Sequence, residues 1–144
     1  MKKFTFELEK VLEYRTFEKQ QAEGELSKAL AVETEINNNL QQIAVQYNNL
    51  KQSMKGSLDF QDMMSQHQFN QLLDYQKEEL LKQLTEAKLV IEEKRKILTE
   101  CMKKTTALEK LKEQQLMEYK EAVDYEEAEL MDEMATSKGN RKDN

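Results

Sequence analysis

The chain has 144 residues, of which 38% are hydrophobic and 35% are charged, and its net charge at pH 7 is −6. The excess of acidic residues argues against nucleic acid as a partner, because phosphate binding needs a surplus of Lys and Arg on one surface. The sequence shows no signal peptide and no run near the roughly 20 apolar residues of a membrane-spanning helix, so we expect a cytoplasmic protein without direct membrane insertion.

The first predicted element is a long helix over residues 5–54. The chain contains three Gly and no Pro, so it has few residues that favour turns. From Leu8 onward, steps of four and three residues alternate as far as Met54, and a mean spacing of about 3.5 residues lets one stripe of a helix face a partner helix. The positions of this seam are Leu8, Leu12, Arg15, Lys19, Ala22, Leu26, Ala29, Glu33, Ile36, Leu40, Ile43, Tyr47, Leu50 and Met54.

A turn is predicted at about 55–60. Gly56 is able to adopt the left-handed backbone that ends many helices, and Ser57 is a good N-cap for the next helix. A second helix follows over about 61–135, and its seam is Phe69, Leu73, Leu80, Leu84, Ala87, Ile91, Leu98, Cys101, Leu108 and Leu111. Residues 136–144 contain no apolar side chain, and we expect them to form a disordered tail.

These elements predict an all-α fold. We expect two long helices in one antiparallel coiled-coil hairpin over residues 1–135, with the second helix longer than the first and the chain a monomer on its own. A parallel dimeric coiled coil is the competing arrangement. It would place Gly56 in the middle of a rod and would bury charged seam residues against a second copy.

The register of the hairpin follows from its turn. Pairing that is symmetric about residue 58 sets Tyr47 opposite Phe69 and Thr5 opposite Lys110 or Leu111. The segment 113–134 then has no intramolecular partner. At the open end of the hairpin, we expect either Phe4 or Phe6 to pack against Leu108 or Leu111 and the other to face outward.

Nothing in the sequence predicts catalysis, a cofactor or a metal site. His67 lies in a Gln-rich segment without a second His or a Cys nearby, so we interpret it as an exposed residue near the turn. Cys101 falls on the seam, where a small apolar side chain packs well, and a single cysteine forms no internal disulfide. We therefore expect a protein that is not an enzyme.

Two stretches differ from the densely charged remainder of the chain. Residues 36–50 carry no charge, and residues 60–73 carry only Asp62. Depletion of charge around aromatic residues is typical of an interface centre, although a bias toward Asn and Gln would give the same pattern. Between Glu121 and Glu133 there are seven acids and no base, which indicates either a basic partner or plain solvation.

The sequence resembles the family of the bacterial flagellar export protein FliJ. The resemblance is carried by "FTFELEKVLEYR" at the start, the break near the middle, "LEKLKE" at 108–113 and "EAVDYEEAELMDEM" near the end. It covers residues 3–135. Its most specific parts are the aromatic start with Leu8, Leu12 and Arg15, the "LEKLKE" segment, and the acidic stretch that ends in Asp132 and Glu133.

The resemblance implies a soluble, non-enzymatic component of the flagellar type III protein export apparatus, similar to the coiled-coil part of the gamma stalk of rotary ATPases. The implied partners are the hexameric flagellar export ATPase, the cytoplasmic domain of the export gate, and export chaperones that the protein escorts. The implied location is the cytoplasm, with peripheral association at the inner membrane below the flagellum. No cofactor is implied.

The resemblance also assigns two sets of partner-binding residues. The set for the ATPase, at the paired ends of the hairpin, is Phe4, Phe6, Leu8, Leu12, Arg15, Leu111, Tyr119, Asp132 and Glu133. The set for the export gate, near the hairpin tip, is Leu40, Ile43, Tyr47, Phe69 and Leu73. The alternative hypothesis is a structural coiled-coil tether or holding chaperone that has no ATPase partner.

Overall fold

The computed structural model describes residues 2–56 and 59–142, with side chains up to residue 139. Its first helix, α1, is Glu9–Ser53, and its second helix, α2, is Phe60–Lys142. The described residues contain no strand, and the two helices pack against each other in antiparallel directions. The predicted all-α hairpin with a longer second helix is confirmed.

The N-terminal segment, residues 2–8, lies outside α1, which begins four residues later than predicted. The backbone N–H of Glu9 donates to the Phe6 carbonyl at 3.1 Å, which forms a turn before the helix. In a helix, residues 4 and 6 would point roughly 200° apart, so only one could contact α2. In the structure Phe6 is 5% exposed, and the half-buried Phe4 contacts Tyr119. The expectation that one Phe faces outward is therefore wrong.

The connection between the helices uses other residues than predicted. The Ser53 hydroxyl donates to the Leu50 carbonyl at 2.8 Å at the end of α1. Gly56 does not adopt a positive φ, and the predicted N-cap, Ser57, lies outside the described residues. The N-cap of α2 is Asp59, whose Oδ1 accepts from the Asp62 N–H at 2.8 Å, because a short carboxylate satisfies a backbone donor that the first helical turn leaves free.

The chain divides into two compact units. One unit consists of residues 20–100, and the other combines residues 1–19 with 101–144. Each unit contains a segment of α1 and a segment of α2. The organisation of residues 1–135 as a single domain stays a prediction.

The core of the 20–100 unit is the predicted seam. On α1 the buried positions recur every seven residues, at Ala22, Ala29, Ile36 and Ile43. The half-buried seam positions that alternate with them are Leu26, Glu33, Leu40 and Tyr47. On α2 the buried seam residues of this unit are Leu73, Ala87 and Ile91. Alternating steps of three and four residues give knobs-into-holes packing, so the coiled-coil prediction holds for this core.

The register within the 20–100 unit differs from the prediction. The Tyr47 hydroxyl donates to Asp74, and Gln66 Nε2 donates to Ser53 Oγ at 3.3 Å. Both pairs are centred on about residue 60, not on residue 58. The predicted pairing of Tyr47 with Phe69 is wrong by about five residues on α2.

An asymmetric turn explains this displacement. Helix α2 begins at Phe60 but reaches the level of Ser53 only at Gln66, so its first turns lie beyond the end of α1. A prediction that places the turn midway between the two seams cannot include such an extension. As a consequence Phe69 falls beside the seam and is 41% exposed, while Asn70 is half-buried.

The same correction applies in the unit that contains the chain ends. Lys112 Nζ lies 2.8 Å from Glu9 Oε2, and the Tyr119 hydroxyl donates to the Lys2 carbonyl. The predicted pairing of Thr5 with Lys110 or Leu111 is therefore wrong. Half-burial on α2 continues to Val123, and the side chains of residues 124–139 are exposed. The part of α2 without an intramolecular partner thus begins about ten residues later than predicted.

Helix α2 continues to Lys142, although its predicted end is residue 135. The segment 136–142 contains no Pro, and backbone hydrogen bonds extend a helix past its last apolar contact without any packing. Residues 136–142 are therefore helical in the structure and do not form the expected tail. Residues 143 and 144 lie outside the described part.

The packing of α2 predicts different effects for two leucines. Leu73→Ala should lower the free energy of unfolding by about 2–5 kcal/mol, because this fully buried side chain is 1% exposed and its loss leaves a cavity. Leu89→Ala is the control, because Leu89 is 67% exposed and its removal should change stability by less than about 0.5 kcal/mol. Urea unfolding followed by circular dichroism measures both. Equal effects would contradict this placement of the seam.

Candidate functional site

The residues assigned to the export gate separate into packing residues and accessible residues. Ile43 and Leu73 are buried in the seam, and Leu40 is half-buried beside them. Tyr47 is half-buried and Phe69 is exposed. Of the five, only Tyr47 and Phe69 present appreciable aromatic surface to a partner.

Tyr47 lies on α1 and is held by two residues of α2 in the 20–100 unit. Its hydroxyl donates to the Asp74 carboxylate, and Lys77 Nζ lies 6.0 Å from the centre of its ring. The hydrogen bond to Asp74 raises the pKa of Tyr47 to about 12, because ionising the phenol would place a negative charge beside the carboxylate. These contacts fix the orientation of an aromatic ring at the edge of the seam.

A cavity of about 510 Å³ lies next to Tyr47. We call its lining the tip cavity, and it consists of Tyr47, Leu50, Lys51, Met54, Met63, Gln66, His67 and Asn70. Lys51 is the one formally charged residue in this lining. Gln66 uses its Nε2 to reach Ser53, while its buried Oε1 has no hydrogen-bond donor among the described residues.

The sequence did not predict the tip cavity, because Met63 lies off the predicted seam and Met54 lies at the end of it. Met54 is 55% exposed, and Met63 is 56% exposed. Methionine is flexible and polarizable, and it fits apolar partners of different shapes. The signal available in the sequence was the density of methionines on both sides of Gly56.

A surface rich in Asn and Gln side chains, the amide-rich surface, lies on the exposed side of α1. A shallow cavity of about 600 Å³ is lined there by Asn38, Gln41, Gln42, Val45 and Gln46. A second cavity of about 350 Å³ brings residues of α2 beside the same helix, including Tyr75, Gln76 and Gln83. Neutral amides both donate and accept, so this surface offers hydrogen bonds that depend little on salt.

The residues assigned to the ATPase also divide by burial. Phe6 and Leu12 are buried, and Leu111 is half-buried. Tyr119 is engaged with the N-terminal segment through the Lys2 carbonyl and through Phe4, whose ring centre lies 5.6 Å from its own. Arg15 Nη1 lies 3.1 Å from Glu18 Oε2. Phe6, Leu12, Leu111 and Tyr119 thus pack the unit together, whereas the Arg15–Glu18 ion pair lies within α1.

The remaining assigned residues are accessible. Leu8, Asp132 and Glu133 are exposed. Asp132 and Glu133 lie on the unpartnered part of α2 together with the exposed apolar residues Leu130, Met131 and Met134. We call the set formed by Leu130, Met131, Asp132, Glu133 and Met134 the terminal surface. Leu8 is not part of it, because the Glu9–Lys112 ion pair places Leu8 beside about residue 113 of α2.

Thr105 is a buried polar residue that the seam pattern did not include. It is 1% exposed, and its hydroxyl lies 2.9 Å from the Cys101 carbonyl and 3.2 Å from the Arg15 carbonyl. When a threonine hydroxyl donates to a carbonyl of the preceding helical turn, its hydrogen-bond donor is satisfied. A threonine can therefore occupy a core position. Cys101 is half-buried one step before it, as the seam pattern predicts.

A second aromatic surface on α1 was also missed. Tyr14 and Phe17 are exposed, and a hydrogen bond with the Glu18 carboxylate raises the pKa of Tyr14. The same bond lowers the pKa of Glu18, and Arg15 adds to that lowering. Both aromatics lie off the seam, so a search for seam positions passes over them.

Within residues 2–56 and 59–142, no group of three or more His, Cys, Asp or Glu side chains is close enough to hold a metal ion. No helix in that part of the chain combines the length and the apolar character needed to cross a membrane.

The Tyr47–Asp74 hydrogen bond predicts a pH dependence. Because the pKa of Tyr47 is raised in the folded state, its contribution to stability is present below about pH 10 and is lost as the pH rises toward 12. In Asp74→Asn the neutral amide should let Tyr47 ionise nearer pH 10. Ultraviolet difference titration measures this shift, with Asp124→Asn as the control. Identical curves for wild type and Asp74→Asn would refute the bond.

Comparison with known proteins identifies the family. The model of the family described as "Flagellar FliJ protein" matches residues 4–144. No curated protein and no solved structure matches the chain. Since the family model covers nearly all of the sequence, the resemblance noted from the residues is confirmed, and the chain belongs to the FliJ family as a component of the flagellar export apparatus.

Proposed function

We propose that this chain is a non-enzymatic, stalk-like coupling factor that binds the hexameric flagellar export ATPase and the cytoplasmic domain of the export gate, and that escorts export chaperones. It works in the cytoplasm, peripherally at the inner membrane below the flagellum. The observation that carries the proposal is the family match over residues 4–144. The surfaces described above supply the residues.

The ATPase contact is assigned to the terminal surface. Its acids and its apolar side chains are exposed to solvent, so they are available to another protein. Phe6 and Leu12 act differently from the initial assignment, because buried side chains shape the unit and do not touch a partner directly. A surface that exposes both charged and apolar side chains suits a partner that is attracted electrostatically and later released.

Charge reversal on the terminal surface should weaken ATPase stimulation. We expect Asp132→Lys with Glu133→Lys to raise the concentration for half-maximal stimulation about tenfold, since two exposed ion pairs contribute roughly 1–2 kcal/mol together. Glu92→Lys with Glu93→Lys is the control, because it makes the same charge change at exposed positions of the 20–100 unit. Unchanged stimulation by the Asp132/Glu133 variant would refute the assignment.

The gate contact is assigned to the tip cavity and the neighbouring amide-rich surface. The cavity offers Met54, Met63 and the fixed ring of Tyr47 to an apolar side chain of the partner. The buried seam residues Ile43 and Leu73 support this surface from below. An uncharged surface with an apolar recess matches the composition of interface centres.

A charged side chain in the tip cavity should weaken gate binding. We expect Met63→Lys to weaken it about tenfold or more, because the variant removes an apolar contact and requires a charge to be desolvated. Met117→Lys is the matched control, since Met117 is also an exposed methionine of α2 but belongs to the other unit. Affinity for the purified cytoplasmic domain of the gate is measured by calorimetry. Equal affinity of the two variants would contradict the assignment.

A pull-down from cell lysate with the wild-type chain decides between the proposal and a plain tether or holding chaperone. Recovery of the hexameric ATPase supports the coupling factor. Recovery of other proteins without the ATPase, from a chain that is fully helical, would favour the tether.

A further inference from the structure

The N-terminal segment, residues 2–8, is attached to α2 mainly through side chains. Phe6 is buried, Phe4 contacts the Tyr119 ring, and the Lys2 carbonyl accepts from the Tyr119 hydroxyl. Among the described residues, its backbone–backbone hydrogen bonds outside regular helix are those that its Phe6 and Leu8 carbonyls accept from the first turn of α1. The segment can therefore leave α2 without breaking a helical ladder.

The face of α2 below this segment continues the coiled-coil seam. Glu9 of α1 pairs with Lys112, and the Lys2 carbonyl lies at Tyr119, so the segment runs along α2 from about residue 113 to 119. The half-buried apolar residues there and just beyond are Leu116, Tyr119 and Val123. The same stripe goes on with Leu130 and Met134, which are exposed. The N-terminal segment thus covers only the first part of one longer apolar stripe.

Spacing and charge define what else could occupy this stripe. Steps of three and four residues are the spacing that accepts another helix, which buries more seam positions than a short segment outside a helix. Seven acids lie between Glu121 and Glu133, with Glu126 on the stripe one heptad after Tyr119, and no base lies among them. These acids, with a net charge of −6, disfavour a second copy of this chain and favour a basic partner.

We propose that the N-terminal segment is a displaceable cover, and that an amphipathic helix with basic flanking residues takes its place on α2 from Leu116 to Met134. The cover competes with the partner helix, so the free chain hides part of its own binding face. That the partner helix belongs to the export ATPase rests on the proposed function. The apolar spacing of the stripe and its acidic residues do not depend on that function.

The test uses a synthetic amphipathic peptide with Leu at heptad seam positions and Lys at the flanking positions. Phe6→Ala should bind this peptide about tenfold more tightly than wild type, because the competing burial of Phe6 is gone. Tyr119→Phe, which removes only the hydroxyl bond to Lys2, should bind about threefold more tightly. Phe17→Ala is the control and should leave affinity unchanged, since Phe17 is an exposed aromatic of the same unit outside the cover.

Weaker or unchanged peptide binding by both Phe6→Ala and Tyr119→Phe would overturn the proposal, since it would show that the segment does not compete. Circular dichroism checks that each variant remains helical, and Tyr119→Phe keeps the test valid if Phe6→Ala loses structure. Equal binding of a peptide with Glu at the flanking positions would overturn the basic character of the partner.

Displacement itself is observed with Phe4→Trp, which creates a single fluorescent reporter because the chain contains no Trp. Adding the Lys-flanked peptide should shift its emission to the red as residue 4 leaves Tyr119. Binding without such a shift would overturn the proposed displacement. This result is independent of ATPase stimulation, so failure of the ATPase experiment with a positive red shift would reject the partner and keep the cover.

Discussion

The shared apolar seam, repeated about every 3.5 residues on both helices, is the constraint on which the rest of the structure depends. The ion pairs along the helices, such as Lys28–Glu25 at 3.5 Å and Lys82–Glu79 at 3.6 Å, are exposed and contribute roughly 0–1 kcal/mol each. Burial of one leucine such as Leu73 contributes roughly 1.5–3 kcal/mol. Since neither helix can bury its stripe alone, the pairing of the helices decides the fold.

Several positions of the seam hold small or charged side chains. Alanines occupy three of its buried positions, and the register of the 20–100 unit brings Ala29 to the level of Ile91, so small and large side chains alternate across the core. Glu33 is half-buried on the α1 seam, and Lys94 is half-buried between the α2 seam residues Ile91 and Leu98; the stems of such side chains pack while their charges stay near water. The most buried polar residue of the seam is Thr105, whose hydroxyl lies 3.2 Å from the Arg15 carbonyl of the facing helix.

The sequence predicted burial correctly where the spacing of the seam alone determines which side chains are buried. Every seam position from Leu12 to Leu50 is buried or half-buried. It failed at Leu8, Met54 and Phe69, because there the helix end or the turn, and not the period, sets the environment. The register depends on how far α2 extends beyond Ser53, which is a property of the connection that no periodicity encodes. The tip cavity could not be predicted for the same reason, since it exists only once that register is fixed.

Burial also changes how the family resemblance should be used. A residue that aligns with a partner-binding pattern can act by contact or by shaping its own unit, and the two roles respond oppositely to substitution. Phe6 illustrates this difference: as a contact residue its loss would weaken binding, whereas as part of a cover its loss strengthens binding to the face below it. Because Phe6 is buried and Phe4 contacts the Tyr119 ring, the aromatic start of the chain is a packing element of its own unit, and a substitution there changes what α2 exposes before it changes any direct contact.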